Sequence, residues 1–170
     1  MGQDLYETPA IMTQTLIDNV ISEIPNCDSL VYYDCACGNN AIVNVFLKNE
    51  LQCIGTDLFT QDVKVDYLND ELPEHDFIVT NPPFSLGTKF LKKLYESGKP
   101  FILLLPVVNV SRKAKHLLFH EYGVIMYCTF PRGPFLREGK QVQVDECAWF
   151  YGNSGKVSKG EIVVKSIGLF

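Results

Sequence analysis

Asp76-Phe77-Ile78-Val79-Thr80-Asn81-Pro82-Pro83-Phe84, then a helix-patterned stretch over 86–97, then Phe101-Ile102-Leu103-Leu104-Leu105-Pro106, reads as strand, crossover and strand. Both apolar runs are continuous rather than alternating, as in strands buried on both faces of a parallel sheet. The paired prolines remove two amide donors and bar helix, so the first strand must stop in a stiff loop. Ser85 can cap the following helix, and Gly98 can end it. The same alternation extends outward. Upstream lie a short strand over 30–34, a turn over 35–40, a helix over 41–48 and a strand over 52–57. Before them, Thr8-Pro9 opens a helix whose apolar stripe runs from Ile11 through Leu16, Val20 and Ile21 to Ile24. The loop over 58–72 holds a brief extended piece at 63–66. Downstream come a helix over 111–120 and strands over 124–128, 142–151 and 161–167. The pattern predicts an α/β fold: Rossmann-like, mostly parallel and doubly wound, with a C-terminal antiparallel hairpin at one sheet edge.

At 170 residues the expectation is a single domain spanning 1–170. With 46% apolar and 21% charged residues, the chain is neither disordered nor a miniature disulfide scaffold. No apolar run approaches the roughly 20 residues of a membrane helix. A secretory leader pattern is absent at the N-terminus, so reduced thiols and a cytoplasmic location are expected for the six cysteines. Cys35-Ala36-Cys37 is the one close pair, and no second Cys or His pair shows zinc spacing, so no metal is expected.

In a doubly wound sheet, ligands sit at the carboxyl ends of the strands, at the switch point. The segments 34–38, 57 and 81–84 all lie just past strand ends and should meet in one crevice. Gly38 lets the first turn close tightly and lets a ligand approach the backbone. The G-x-G-x-x-G dinucleotide fingerprint and a P-loop are both absent. Asp57 can accept from two ribose hydroxyls. Asn81-Pro82-Pro83-Phe84 carries the sharpest chemistry, against the bland alternative of a proline turn over a buried Phe. An amine conjugated to a heteroaromatic ring is a poor nucleophile because its lone pair is delocalised. The Asn81 side-chain oxygen and a proline-locked carbonyl can each accept one of its N–H bonds and stabilise the positive charge that develops on attack. Phe84 offers a stacking face worth about 1–3 kcal/mol, and a duplex base would have to be flipped out to reach it.

Glu7-Thr8-Pro9, Asp34-x-x-x-Gly38, Asp57, Asp66 and Asn81-Pro82-Pro83-Phe84 stand in the order found in S-adenosylmethionine-dependent adenine-N6 methyltransferases. Over residues 4–110 the chain resembles the adenine-specific DNA methyltransferases of restriction–modification systems. That resemblance implies a class I methyltransferase fold and transfer of a methyl group from S-adenosylmethionine to adenine N6 in DNA. It implies cofactor contacts from Tyr6, Thr8, Pro9, Asp34, Cys35, Ala36, Gly38, Asn39, Asp57, Leu58, Asp66 and Asn81, with Asp62 and Asp70 as rivals of Asp66. Asn81, Pro82, Pro83 and Phe84 would carry the target adenine. The chain departs from the family in its first turn, which holds Cys35 and Asn39-Asn40 in place of further glycine or proline. It also lacks room for an appended target-recognition domain.

For substrate contact the sequence offers the loop over 130–141: Arg132, Arg137 and Lys140 for phosphates, and Phe135 as a wedge between bases. A solvated hairpin is the plain alternative. Lys89, Lys92 and Lys93, and likewise Arg112, Lys113 and Lys115, could be wet helix faces. The partner expected is nucleic acid, DNA ahead of RNA; a homodimer or a specificity subunit stays open. Adenosine in structured RNA, a protein glutamine and a non-catalytic subunit are the other readings. The net charge of −5 averages two unlike halves: residues 1–80 hold 2 basic and 14 acidic residues, a net of −12, and residues 81–170 hold 13 and 6, a net of +7. An acidic half suits a sulfonium cofactor and a basic half a polyanion.

Overall fold

A computed structural model describes residues 6–60, 64–131 and 133–168. Nine strands and four α-helices follow in order: α1 (Ala10–Asn19), β1 (Tyr32–Asp34), α2 (Ala41–Lys48), β2 (Cys53–Gly55), β3 (Phe77–Thr80), α3 (Gly87–Glu96), β4 (Phe101–Pro106), α4 (Lys113–Tyr122), β5 (Val124–Thr129), β6 (Phe135–Arg137), β7 (Lys140–Val142), β8 (Cys147–Gly152) and β9 (Ile162–Ile167). Seven strands form one sheet in the order β2-β1-β3-β4-β8-β5-β9. The first four pair in parallel. β8 runs antiparallel to both its neighbours, and β9 pairs in parallel with β5 at the edge. β6 and β7 make a separate antiparallel hairpin. The expected fold class is present, with one difference of placement. The antiparallel strand of the main sheet lies inside it, because Trp149, Phe150 and the rest of β8 are apolar on both faces and need cover on both sides.

Why the strands read as unbroken apolar runs is visible in the two cores. Residues one apart point to opposite faces of a strand. Ile102 and Leu104 of β4 enter the core beneath α1 and α2, with Phe77, Val79, Trp149 and Tyr151. Phe101, Leu103 and Leu105 enter the core beneath α3 and α4, with Ile78, Phe150, Phe90, Leu94 and Phe119. Each face is therefore bound to a helical layer. At about 25 cal/mol per Å² of apolar surface, the sandwich is held chiefly by burial. That rigid frame leaves the carboxyl ends of β1, β2 and β3 side by side, on the two flanks of the point where the chain order reverses. The first helix starts at Ala10, with Pro9 as its unsatisfied cap and no side-chain bond from Thr8. Leu86 rather than Ser85 stands at the N-cap of α3, and a 3-10 turn at Phe84–Leu86 leads into that helix. Among the described residues no helix is long and apolar enough to cross a membrane.

Candidate functional site

A cavity of about 420 Å³ opens where the three strand ends meet, lined by the segment 6–8, the turn after β1, the loop after β2 and the Asn81 loop. Such a volume falls within the roughly 300–1,000 Å³ of small-molecule sites. Tyr6, Thr8, Asp34, Ala36, Gly38, Asn39, Asp57, Asn81 and Pro83, all singled out by sequence, line it together.

The wall from β1 and β2 is stitched by backbone amides. Thr56 N–H donates to Asp34 O at 3.0 Å, and Cys37 N–H donates to Thr56 O at 3.0 Å. Gly38 sits at φ +51°, a left-handed turn that glycine takes without strain. Its N–H donates to Asp57 Oδ2 at 3.1 Å, and Asp57 Oδ1 accepts from Phe59 N–H at 2.8 Å and Thr60 N–H at 3.1 Å. Of the four or so lone-pair positions on the Asp57 carboxylate, three are therefore taken by the main chain. Thr60 Oγ1 closes the loop onto Gly38 O at 2.7 Å. Gly55, at the end of β2, allows close packing behind this wall: a Cβ there would sit 2.8 Å from Asn40 Oδ1 and 2.9 Å from Val43 Cγ2.

Asp34 is only 1% exposed, yet it faces the cavity. Its Oδ1 accepts from Thr80 Oγ1 at 2.6 Å and from Ala36 N–H at 3.3 Å. Burial outweighs those bonds and pushes its carboxyl up to about 7. A cation brought into the cavity would favour the ionised form. Opposite, Asn81 is held by its nitrogen. Asn81 Nδ2 donates to Tyr6 O at 3.0 Å and to Thr8 Oγ1 at 3.1 Å. A carbonyl can only accept, so the Tyr6 bond fixes which end of the amide is which. Asn81 Oδ1 is buried without a hydrogen-bond partner among the described residues. Pro83 O accepts from Leu86 N–H at 2.9 Å, and the Phe84 ring stacks on Tyr6 at 5.8 Å with planes 28° apart.

Several expected contacts fall elsewhere. Cys35 does not line the cavity; it is buried with Tyr33 and Ile78 in the core, and Cys37 takes the lining position because the turn reverses the side-chain direction. Leu58 lies off the wall, where Phe59 and Thr60 stand instead. Pro9 lines a neighbouring groove between the 7–11 segment, α2 and the hairpin. Pro82 is buried behind the loop, and Phe84 packs against both cores rather than lining the cavity. Asp66 lies outside the cavity wall; its carboxylate is turned inward on its own loop, accepting from Leu68 N–H at 2.9 Å and Asn69 Nδ2 at 2.7 Å. The Asn69 bond chiefly holds its carboxyl below the usual range. Asp70 accepts from Asp66 N–H.

The hairpin brings a correction too. Phe135 is no wedge: at 2% exposure it is part of the core beneath α1, because β6 needs an apolar anchor to dock. Arg137 and Lys140 are cross-strand partners on the hairpin, which pairs with the cavity segment through Glu7 and Leu136. Arg132 and Asp62 lie outside the described residues.

Sequence reasoning missed Glu7, Cys37, Ala41, Ile42, Phe59, Thr60, Ser85 and Leu86 as lining residues. Glu7 had a signal in the quoted Glu7-Thr8-Pro9 motif; its Oε1 accepts from Asn39 Nδ2 at 2.7 Å and ties the first turn to the N-terminal segment. Phe59, two positions after Asp57 and 67% exposed, had one as an aromatic in a polar loop.

No family model matches the chain, and no curated protein matches it by sequence. Solved structures do. The predicted O-methyltransferase Atu636 of Agrobacterium tumefaciens superposes with a TM-score of 0.57 at 11% identity, over 92% of this chain and 85% of that one. The precorrin-6y C5,15-methyltransferase of Geobacter metallireducens gives 0.53 at 14% identity, over 89% and 96%. Human N-acetylserotonin methyltransferase, solved with S-adenosylmethionine, gives 0.45 at 12% identity, over 88% of this chain and 52% of that one. The likeness is one of fold, and the chain has the Rossmann-like fold of the first two of these methyltransferases.

Proposed function

We propose that the protein transfers a methyl group from S-adenosylmethionine to the exocyclic N6 amine of adenine in DNA. The observation that carries this reading is Asn81: its nitrogen is pinned by Tyr6 O and Thr8 Oγ1, and its buried oxygen has nothing to accept from. An orphaned buried acceptor costs about 1–3 kcal/mol, so its retention calls for a ligand donor. A conjugated amine supplies that donor. Asn81 Oδ1 takes one N–H, and a main-chain carbonyl of the proline loop beside it takes the other. Together they orient the nitrogen and stabilise the charge that forms on it. No general base is required, because the methylated ammonium loses its proton readily to water. Tyr6, which lines the cavity and stacks on Phe84, offers an aromatic face for the base.

The residues opposite fit the cofactor. A buried carboxyl at Asp34 suits a cationic ligand, the Gly38 turn exposes backbone, and the remaining acceptor position of Asp57 can take a ribose hydroxyl. Phe59 at the rim can cover a nucleoside base. Bound there, S-adenosylmethionine supplies an electrophilic methyl on a sulfonium. The test is transfer from labelled cofactor to DNA, RNA and protein in parallel, with Asn81→Ala as control. Label in adenine of DNA alone is expected. Label in RNA only, or an active Asn81→Ala enzyme, sinks the proposal.

A further inference from the structure

Tyr6, Glu7 and Thr8 form a strap that is bonded to both walls of the cavity and to the hairpin beyond. On one side the strap holds Asn81. Tyr6 O accepts from Asn81 Nδ2 at 3.0 Å, Thr8 Oγ1 accepts from the same nitrogen at 3.1 Å, and the Tyr6 ring stacks on Phe84. On the other side Glu7, the residue between those two, takes the turn after β1: its Oε1 accepts from Asn39 Nδ2 at 2.7 Å. That turn is the left-handed one at Gly38, continued by Asn40 at φ +63°. The main chain alone grips the strap weakly. Glu7 N–H donates to Leu136 O at 2.8 Å, but the return bond, from Leu136 N–H to Glu7 O, is stretched to 3.5 Å, and the pair is an isolated bridge outside any ladder. Such bonds ordinarily span about 2.7–3.2 Å, so one main-chain bond of the two is sound. The bond from the half-buried Glu7 carboxylate to Asn39 is charge-assisted and therefore the stronger anchor.

We propose that Glu7 is a positioning residue: through Asn39 it sets the strap against the cofactor turn, and the strap sets the Asn81 amide for methyl transfer. The inference rests on the methyl-transfer reading above and adds the link between the two halves of that site. The parallel strands β1 and β3 fix where the two backbones stand. They do not fix the Asn81 side chain, whose amide could turn if Tyr6 O and Thr8 Oγ1 moved away. Asn81 Oδ1 has to meet the incoming amine while the methyl donor lies against the turn opposite. A displacement of about 1 Å there can cost up to about 100-fold in rate. Glu7 touches no reacting atom in this arrangement, and what it supplies is an acceptor oxygen for Asn39 rather than charge.

The experiment uses the full chain, saturating S-adenosylmethionine and a single-stranded oligonucleotide holding one adenine. Glu7→Ala should lower kcat about tenfold, while KM for the oligonucleotide and the calorimetric Kd of the cofactor stay within about threefold. Glu7→Gln keeps an oxygen for Asn39 Nδ2 and should retain kcat within about twofold. Asn39→Ala should lower kcat as much as Glu7→Ala, and the double variant no further, as for one interaction broken from either end. A loss that falls on KM or Kd instead, a glutamine variant as poor as the alanine one, or losses that add overturn the proposal. A second readout needs no reaction. In the nitrogen-15-labelled, ligand-free chain, the side-chain amide protons of Asn81 are assigned by their absence from Asn81→Ala. They should exchange with water about tenfold faster in Glu7→Ala and as in the parent chain in Glu7→Gln. An unmoved exchange rate in Glu7→Ala overturns the positioning role. Should no adenine be labelled while these protons still respond, the link from Glu7 to Asn81 stands and the adenine reading falls.

Discussion

The cavity has two walls that treat their polar atoms in opposite ways. On the wall from β1 and β2, Asp57 is bound to three backbone amides, and Thr60, Cys37 and Thr56 bind main-chain groups in turn. On the wall from β3 and α3, Asn81 Oδ1 is buried and unpartnered among the described residues. The first wall is largely satisfied before any ligand arrives; the second carries a group whose hydrogen bond has still to be made. Pre-satisfied groups shape a site at little cost on binding, whereas orphaned ones store a penalty that only the right ligand removes. A cofactor-holding wall and a wall that selects the acceptor would divide the work in that way.

The comparison breaks most sharply at Asn81. Asn81→Ala should lower methyl transfer by about 100- to 1,000-fold, the cost of one lost polar contact to a developing charge. Cofactor affinity by calorimetry should stay within a few-fold. Equal loss of binding and rate would mean that Asn81 belongs to the structural wall. Asp57→Ala tests the other side. It strips three backbone amides of their acceptor at a cost of about 2–3 kcal/mol, or roughly 5–10 °C in Tm for a chain of this size. A melting curve that hardly moves would show the amides finding water, and the wall would not be self-held.

A pH series sharpens the contrast at Asp34, the one buried acid of the first wall with room for a cation. Its folded pKa, about 7, lies above the unfolded 3.8. Its contribution to stability is therefore full below about pH 3.8 and lost as pH rises through 7. Urea unfolding should show Asp34→Asn, which keeps an acceptor for Thr80, gaining on the parent chain as pH rises from 4 to 8. In the parent chain, affinity for S-adenosylmethionine should rise about tenfold from pH 6 to 8, because a cation needs the ionised carboxyl. The variant should show a flat, weaker profile; a sloped one would move the titration elsewhere. The smallest effect belongs to the hairpin. Lys140 is exposed, so Lys140→Ala should weaken oligonucleotide binding by only two- to threefold and leave transfer at saturation unchanged. A larger loss would place strand recognition on the hairpin.

Legibility followed locality. Residues 81–84 could be placed at a strand end because two prolines have only one local meaning after an apolar run, and Asp34, Gly38 and Asp57 followed from their strands in the same way. Cys35 and Cys37 could not be told apart, since the turn between them decides which faces the core. Phe135 and Lys115 misled for a shared reason. A residue in a polar, basic stretch looks solvated until another element packs over it, here α1 and the sheet for Phe135, and the start of α3 for Lys115.

By itself the sequence determined the alternation of strands and helices, the parallel sheet buried on both faces and the meeting of three strand ends. All of these depend on periodicity and on chain-local stiffness. Only the tertiary structure decided that β8 enters the sheet between β4 and β5, that Asp57 is occupied by amides, and that the Asn81 oxygen has no partner among the described residues. Those depend on which distant groups approach within hydrogen-bond reach, a matter of packing between segments far apart along the chain, which local pattern does not encode.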